Sequence, residues 1–295
     1  MFRPLSLLTV LVLLTSLAGA NTGLQFLTFS QLPRGTALGE AFTGAAGDLT
    51  SATFNPAGLA KINKIQFALM HKSWFQDIYL NQGSVAIPLN KNVFSLGLTL
   101  NTVPDIPIRT GASSEPLGQT NAEDAAFSLG WSRSIQNLDW GLAAKLLYEK
   151  IHLNSTTGWA ADVGVQYQYR DFRFGAAVLN WGPKLSLDQE DFSLPTQLRA
   201  GISYLLPEKL AQGKWTLLVD MVKPRDFDSY VNLGMEYVYQ ERYSARLGYR
   251  GGEANQSDIS FGLGIKYNRY AIDYAYLPFK SDLGSSHQIA LILEL

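Results

Sequence analysis

Three histidines, no cysteine, 24 basic and 25 acidic residues are what this 295-residue chain brings to any chemistry. The missing thiols exclude Cys nucleophiles, Cys-ligated metals and disulfides. His71, His152 and His287 each fall near a strand end or loop on one side of the strand pattern described below. A metal centre or a Ser–His pair would require them to converge with carboxylates, and no spacing in the chain asks for that. They read as solvated rim histidines. G-x-S-x-G, H-E-x-x-H and the Walker loop do not occur. Catalysis, a metal and a cofactor are therefore not expected, and a formal net charge of −1 gives no reason to expect a nucleic-acid partner.

A second set of residues carries charge where charge is costly. Asp162, Glu236, Arg246, Lys266 and Asp273 interrupt faces otherwise made of Gly and small residues. They could line a translocation path, or they could form an ion network that pins something inside a lumen. Buried charges need partners, and the near balance of acids and bases favours the network.

The elements that position these charges alternate with period two. Trp159, Ala161, Val163, Val165, Tyr167 and Tyr169 share one face, and Ala160, Asp162, Gly164, Gln166 and Gln168 share the other. Ile259 to Tyr267, Tyr270 to Tyr276 and Ile289 to Leu295 repeat the pattern. Such alternation marks strands with two unlike faces. Trp159, Tyr167, Tyr169, Tyr237, Tyr239, Tyr267 and Tyr276 sit at strand ends, as interfacial aromatic girdles do, so the apolar face is expected to point to lipid. About fourteen strand segments can be counted between residues 64 and 295. Tight turns (Asn90-Lys91-Asn92, Arg170-Asp171, Gln240-Glu241, Asn268-Arg269) alternate with longer stretches at 104–121, 181–195, 223–228, 250–257 and 278–285. Only the 206–213 connection is long on the short side. The expectation is an all-β transmembrane antiparallel barrel over 63–295 in an outer membrane, with both chain ends on the periplasmic side.

Two segments precede the barrel. Residues 1–20, with Arg3, the apolar Leu5 to Leu17 and Ala18-Gly19-Ala20, read as a signal peptide. Residues 21–62 lack strand pattern, and 33–48 are rich in Gly, Ala and Thr. This segment is expected to be a small hatch in the lumen, with a short helix placing Leu38, Ala41, Phe42 and Ala45 on one side. Within S-A-T-F-N-P-A-G-L-A (51–60), Asn55 can close an Asx turn, Pro56 fixes its φ and Gly58 is free to take φ > 0, which makes Asn55, Pro56, Ala57 and Gly58 the candidate hatch motif.

In A-L-G-E-A-F (37–42), F-N-P-A-G-L-A (54–60), K-S-W-F-Q-D-I (72–78), K-L-L-Y-E-K-I (145–151), E-Y-V-Y (236–239), R-L-G-Y-R (246–250) and F-G-L-G-I-K-Y (261–267) the chain resembles the PorV/PorQ outer-membrane proteins, distant relatives of the FadL fatty-acid transporters. The resemblance implies a fourteen-stranded barrel with an N-terminal hatch, and makes 51–60 the neck between hatch and wall. It implies a component or client-docking adaptor of type IX secretion, with the translocon and exported proteins as partners beside membrane lipid. The FadL relationship implies instead a transporter of a hydrophobic ligand, in which Phe42, Phe54 and Leu59 would line an apolar path.

Overall fold

Alternation in the sequence becomes alternation of environment in the structure. In β1 (Gln66–Ser73) burial runs strictly buried–exposed over all eight residues, and Ile259–Tyr267 behaves alike. The computed structural model describes residues 22–75, 77–109, 111, 115–207, 213–252, 258–280 and 284–295. The expected signal peptide, 1–20, lies outside the described residues.

The remaining strands are β2 (Tyr79–Leu89), β3 (Asn92–Ile108), β4 (Gly118–Ile135), β5 (Leu138–Ile151), β6 (Asn154–Tyr169), β7 (Phe172–Trp181), β8 (Leu185–Leu187), β9 (Glu190–Phe192), β10 (Gln197–Leu205), β11 (Gly213–Pro224), β12 (Tyr230–Tyr239), β13 (Tyr243–Arg250), β14 (Ile259–Tyr267), β15 (Tyr270–Pro278) and β16 (Ser285–Glu294). Fourteen of them close an antiparallel barrel in which β16 pairs with β1, and β8–β9 form a separate hairpin. Closure removes the open edges that hydrocarbon would not tolerate. Turns at one end are tight and use left-handed residues, among them Asn90 (φ 58°) and Asn268 (φ 54°), a conformation that Asn tolerates better than most.

Two expected loops contain strand. The 104–121 stretch is ladder at both its ends, because pairing resumes at Ile106↔Thr120 after an irregularity following Val103 and runs to Ile108↔Gly118. Pro104 and Pro107 hid it. They are tolerated because β2 ends its pairing at Tyr79↔Thr102, so beyond that point one edge of β3 has no neighbour that needs an N–H. The 181–195 stretch holds the β8–β9 hairpin, too short to show a period.

Outward positions are apolar: Phe94, Leu96, Leu98 and Leu100 alternate along β3, all exposed. Tyr79, Tyr148, Trp159 and Trp181 stand towards one rim and Trp140, Tyr167, Tyr169, Tyr243, Tyr267 and Tyr270 towards the other, all exposed, as two girdles would.

Inside lies the N-terminal segment. It consists of a 3-10 turn (Gln25–Thr28), α1 (Pro33–Ala37), α2 (Ser51–Phe54) and a second 3-10 stretch (Pro56–Lys61). The expected helix through Ala45 stops at Ala37, because Gly39 and Glu40 adopt φ near +60°. Leu38, Ala41, Phe42 and Ala45 are nonetheless all buried, in a turn-built cluster with Phe54 and Leu218.

Candidate functional site: the hatch and its seat in the lumen

The hatch backbone is held by wall side chains. Asp220 of β11 accepts hydrogen bonds from the Phe42 and Thr43 amides at 3.0 and 2.9 Å and from the Thr43 hydroxyl at 2.5 Å. Arg199 of β10 pairs with Asp220 at 3.1 Å. It also donates to Thr43 Oγ1 at 3.0 Å and to the Glu40 carbonyl at 2.5 Å, and its guanidinium lies 5.0 Å from the Phe54 ring centre. Gln166 of β6 donates to the Thr43 and Ala45 carbonyls. The three donors and the cation all converge on Oδ2, which offsets much of the cost of burying the carboxylate.

A second centre joins Arg34 of α1 to the wall. Its guanidinium forks onto both oxygens of Glu236, at 2.9 and 2.5 Å, and reaches Asp48 within the hatch at 2.5 Å. Arg246 donates to the same Glu236 at 2.7 Å and to Asp273 at 2.6 Å. Burial by itself lowers the Arg34 pKa, but Glu236 and Asp48 reverse the sign and leave it well above the ordinary value, so this arginine is charged at every working pH. Glu40 pairs with Arg250 at 3.1 Å, Thr36 donates to Gln288 at 2.6 Å, and Lys61 meets Asp139 at 2.8 Å.

Glu236, Arg246 and Asp273 of the five predicted lumen charges therefore meet in one network. Asp162 is apart from them, paired with Lys145 at 2.7 Å and accepting from the Asn180 amide. Lys266 is also apart, at the turn end of β14 with Glu294 at 2.6 Å. Arg34, Glu40, Gln166, Arg199, Asp220 and Arg250 complete the seat and were not singled out from sequence. A signal existed for the strand members: Arg199 and Asp220 are lone charges flanked on both sides by apolar residues.

The N-P-A-G motif lies inside the hatch. Asn55 is fully buried. Its Oδ1 accepts from the Ala57 amide at 3.1 Å, the expected Asx turn, while its Nδ2 donates to the Thr43 carbonyl at 2.9 Å and to the Val165 carbonyl of the wall at 3.1 Å. The motif is thus a clasp between hatch and wall. The expectation that 51–60 is the neck is corrected: the neck is the short run after Lys61 that leads into β1. The wall answers with glycine. A Cβ on Gly141 would strike the Pro56–Ala57 backbone, one on Gly164 the Asn55 amide oxygen, and one on Gly175 the Thr43 carbonyl. Phe42, Phe54 and Leu59 are at most 1% exposed. Phe42 and Phe54 pack together, with ring centres 5.8 Å apart, while Leu59 belongs to a separate apolar cluster.

No group of three or more His, Asp or Glu suited to a metal occurs among the described residues. His71 and His287 lie on the outer face of the wall and His152 at the β5–β6 turn.

Fold and seat define an outer-membrane β-barrel whose lumen is occupied by its own N-terminal hatch. Residues 54–293 match the family of the type IX secretion system membrane protein PorP/SprF, and the chain belongs to that family. PorV/PorQ, to which the sequence motifs pointed, is not the family matched, although the secretion system is the same. No curated protein matches the chain. Among solved structures it is similar to the Pseudomonas putida toluene transporter TodX. One TodX structure shares 13% identity over 95% of this chain and 99% of that one, with a TM-score of 0.63. A second shares 14% over 90% and 98%, with a TM-score of 0.64. At that identity the likeness is one of fold alone.

Proposed function

We propose that this barrel serves type IX secretion as a docking component of the PorV/PorQ kind, a rigid platform in the outer membrane to which the translocon or exported proteins bind, and that it carries out no catalysis. The observation that carries this reading is the seat of the hatch. Asp220, Arg199 and Glu236 hold it directly with buried side chains, and Arg246 backs Glu236 from the wall, which suits a closed scaffold better than a gate that must open at each turnover. Membership of a secretion family supports the same reading. Gentle detergent extraction from native outer membrane, followed by mass spectrometry of what accompanies the barrel, tests it. Co-purification of a large translocon barrel or of exported clients is expected; the barrel alone in repeated extractions would sink the proposal.

The TodX-like fold favours a second reading, a transporter of hydrophobic small molecules. In that case Asn55 to Gly58 would be the moving element, and Phe42, Phe54 and Leu59 would part to let an apolar molecule through. Recovery of the barrel with an apolar molecule in its lumen would favour transport over docking.

A further inference from the structure

We propose that a notch on the lipid-facing wall around Gly83 binds one acyl chain of a membrane lipid, with the lipid's polar head held against His71 and Asn81. Register places Leu291, Leu69, Gly83 and Leu98 in one outward row across β16, β1, β2 and β3. The row is leucine except at Gly83. An open hollow of about 610 Å³ lies over Gly83, walled by Leu69, Leu98 and Leu291 with their neighbours, and the missing side chain deepens it at the centre.

The shape of the hollow selects its occupant. Adjacent strands lie about 4.8 Å apart, so the leucines flanking β2 are about 10 Å apart, and part of that span is their own bulk. A single hydrocarbon chain fits between them. An α-helix is itself about 10 Å across with its side chains and would ride on the leucines without entering. The surrounding medium is hydrocarbon, so an acyl chain is at hand at high concentration.

The upper edge of the notch is polar, which a purely annular contact would not need. His71 Nδ1 lies 2.8 Å from Asn81 Oδ1, both outward and both lining the hollow. One row further towards the rim, His287 meets the Tyr274 hydroxyl at 2.6 Å and the Ser285 hydroxyl at 3.0 Å. Two of the three histidines in the chain thus face outward within two adjacent strands. Polar groups against hydrocarbon are costly unless partnered. A phosphate placed against this edge would favour protons on both ring nitrogens of His71, Nδ1–H donating to Asn81 and Nε2–H to the phosphate or ester oxygen. Chain in the notch and head on the histidine describe one anionic phospholipid.

The test uses the full-length protein reconstituted in vesicles of phosphatidylethanolamine and phosphatidylglycerol, extracted in a mild detergent and weighed by native mass spectrometry. One retained lipid per wild-type barrel is expected, with phosphatidylglycerol preferred. Gly83→Leu continues the leucine row, and its Cβ meets nothing nearer than Leu69 Cδ2 at 3.5 Å. It should lower retention by roughly tenfold, about 1.4 kcal/mol, with the heat-modifiable gel shift of the folded barrel unchanged. His71→Leu should keep a lipid but lose the preference for phosphatidylglycerol. Should Gly83→Leu not fold, Gly83→Ala gives the smaller version of the same loss. Equal retention by the wild type and by a folded Gly83 variant, or no lipid on the wild type, overturns the proposal.

Discussion

The two halves of the lumen wall grip the same hatch by different physics. Around β10 to β15 the contacts are ionic: Arg199, Asp220, Glu236, Arg246, Arg250 and Asp273 face Arg34, Glu40 and Thr43. Around β1 to β6 they are mainly hydrocarbon: Ala68, Met70, Leu80, Ala86, Val93, Ala126 and Leu147 pack against Leu27, Leu32, Leu49, Leu59 and Ile62, with the Lys61–Asp139 pair and the Gln166 and Asn55 hydrogen bonds lying at β5 and β6. Ionic contacts are directional and fail abruptly when one partner is lost. Apolar contacts grade with area and tolerate adjustment. The ionic half therefore sets where the hatch sits, and the apolar half supplies much of what holds it there.

The largest effect should follow Asp220→Ala. It strands Arg199 and frees the Phe42 and Thr43 amides, at a cost of about 3–5 kcal/mol. Urea unfolding in vesicles should show the loss, and protease should then cut between residues 39 and 48. Leu59→Ala on the apolar side should cost about 3 kcal/mol through its cavity, yet leave the hatch protected from protease. If Leu59→Ala exposes the hatch and Asp220→Ala does not, the two halves exchange roles. Gly164→Val drives a side chain into Asn55 and Pro56. It should cost about 1–3 kcal/mol and raise single-channel conductance in planar bilayers as the clasp lifts; unchanged conductance would mean that the wall yields instead. Asn55→Ala should cost about 1 kcal/mol, as lost caps do, with the same readout in weaker form. Lys214→Ala, at the exposed turn end, should change nothing measurable. The hydrogen bond and charge of Lys214 hold the Glu241 carboxyl below its ordinary value. Whatever that pair contributes is present above the usual carboxylate range and is lost as pH falls through the lowered value.

Much of the wall was readable from the chain because a strand in lipid must declare both faces at every second residue. Trp159 to Tyr169 does so without interruption, and the structure keeps that alternation of faces from end to end, across a register shift against β7 between Ala161 and Val163. Pro104 and Pro107 concealed strand because their tolerance depends on where β2 ends, a fact of pairing and not of local pattern. Gly141, Gly164 and Gly175 carry no local signal of their role: Gly141 and Gly175 lie against hatch backbone and Gly164 against the Asn55 side chain. Among the charges, Glu236, Arg246 and Asp273 meet on one stretch of wall. Asp162 lies on β6, away around the circumference, and Lys266 lies on the intervening strand β14 but nearer its turn end, so neither joins them.

The sequence by itself pointed to the class of protein: strand alternation alone also fits a soluble sandwich, and the aromatic strand ends and the Gly-rich opposite face favoured a closed barrel in a membrane. It also determined the Asx turn at Asn55, since that bond spans two residues. Tertiary structure alone decided what the hatch touches. Arg34 and Glu236 are 202 positions apart, and no local rule brings them together; only strand order, stagger and closure bring the wall around to the carboxylate that the arginine needs.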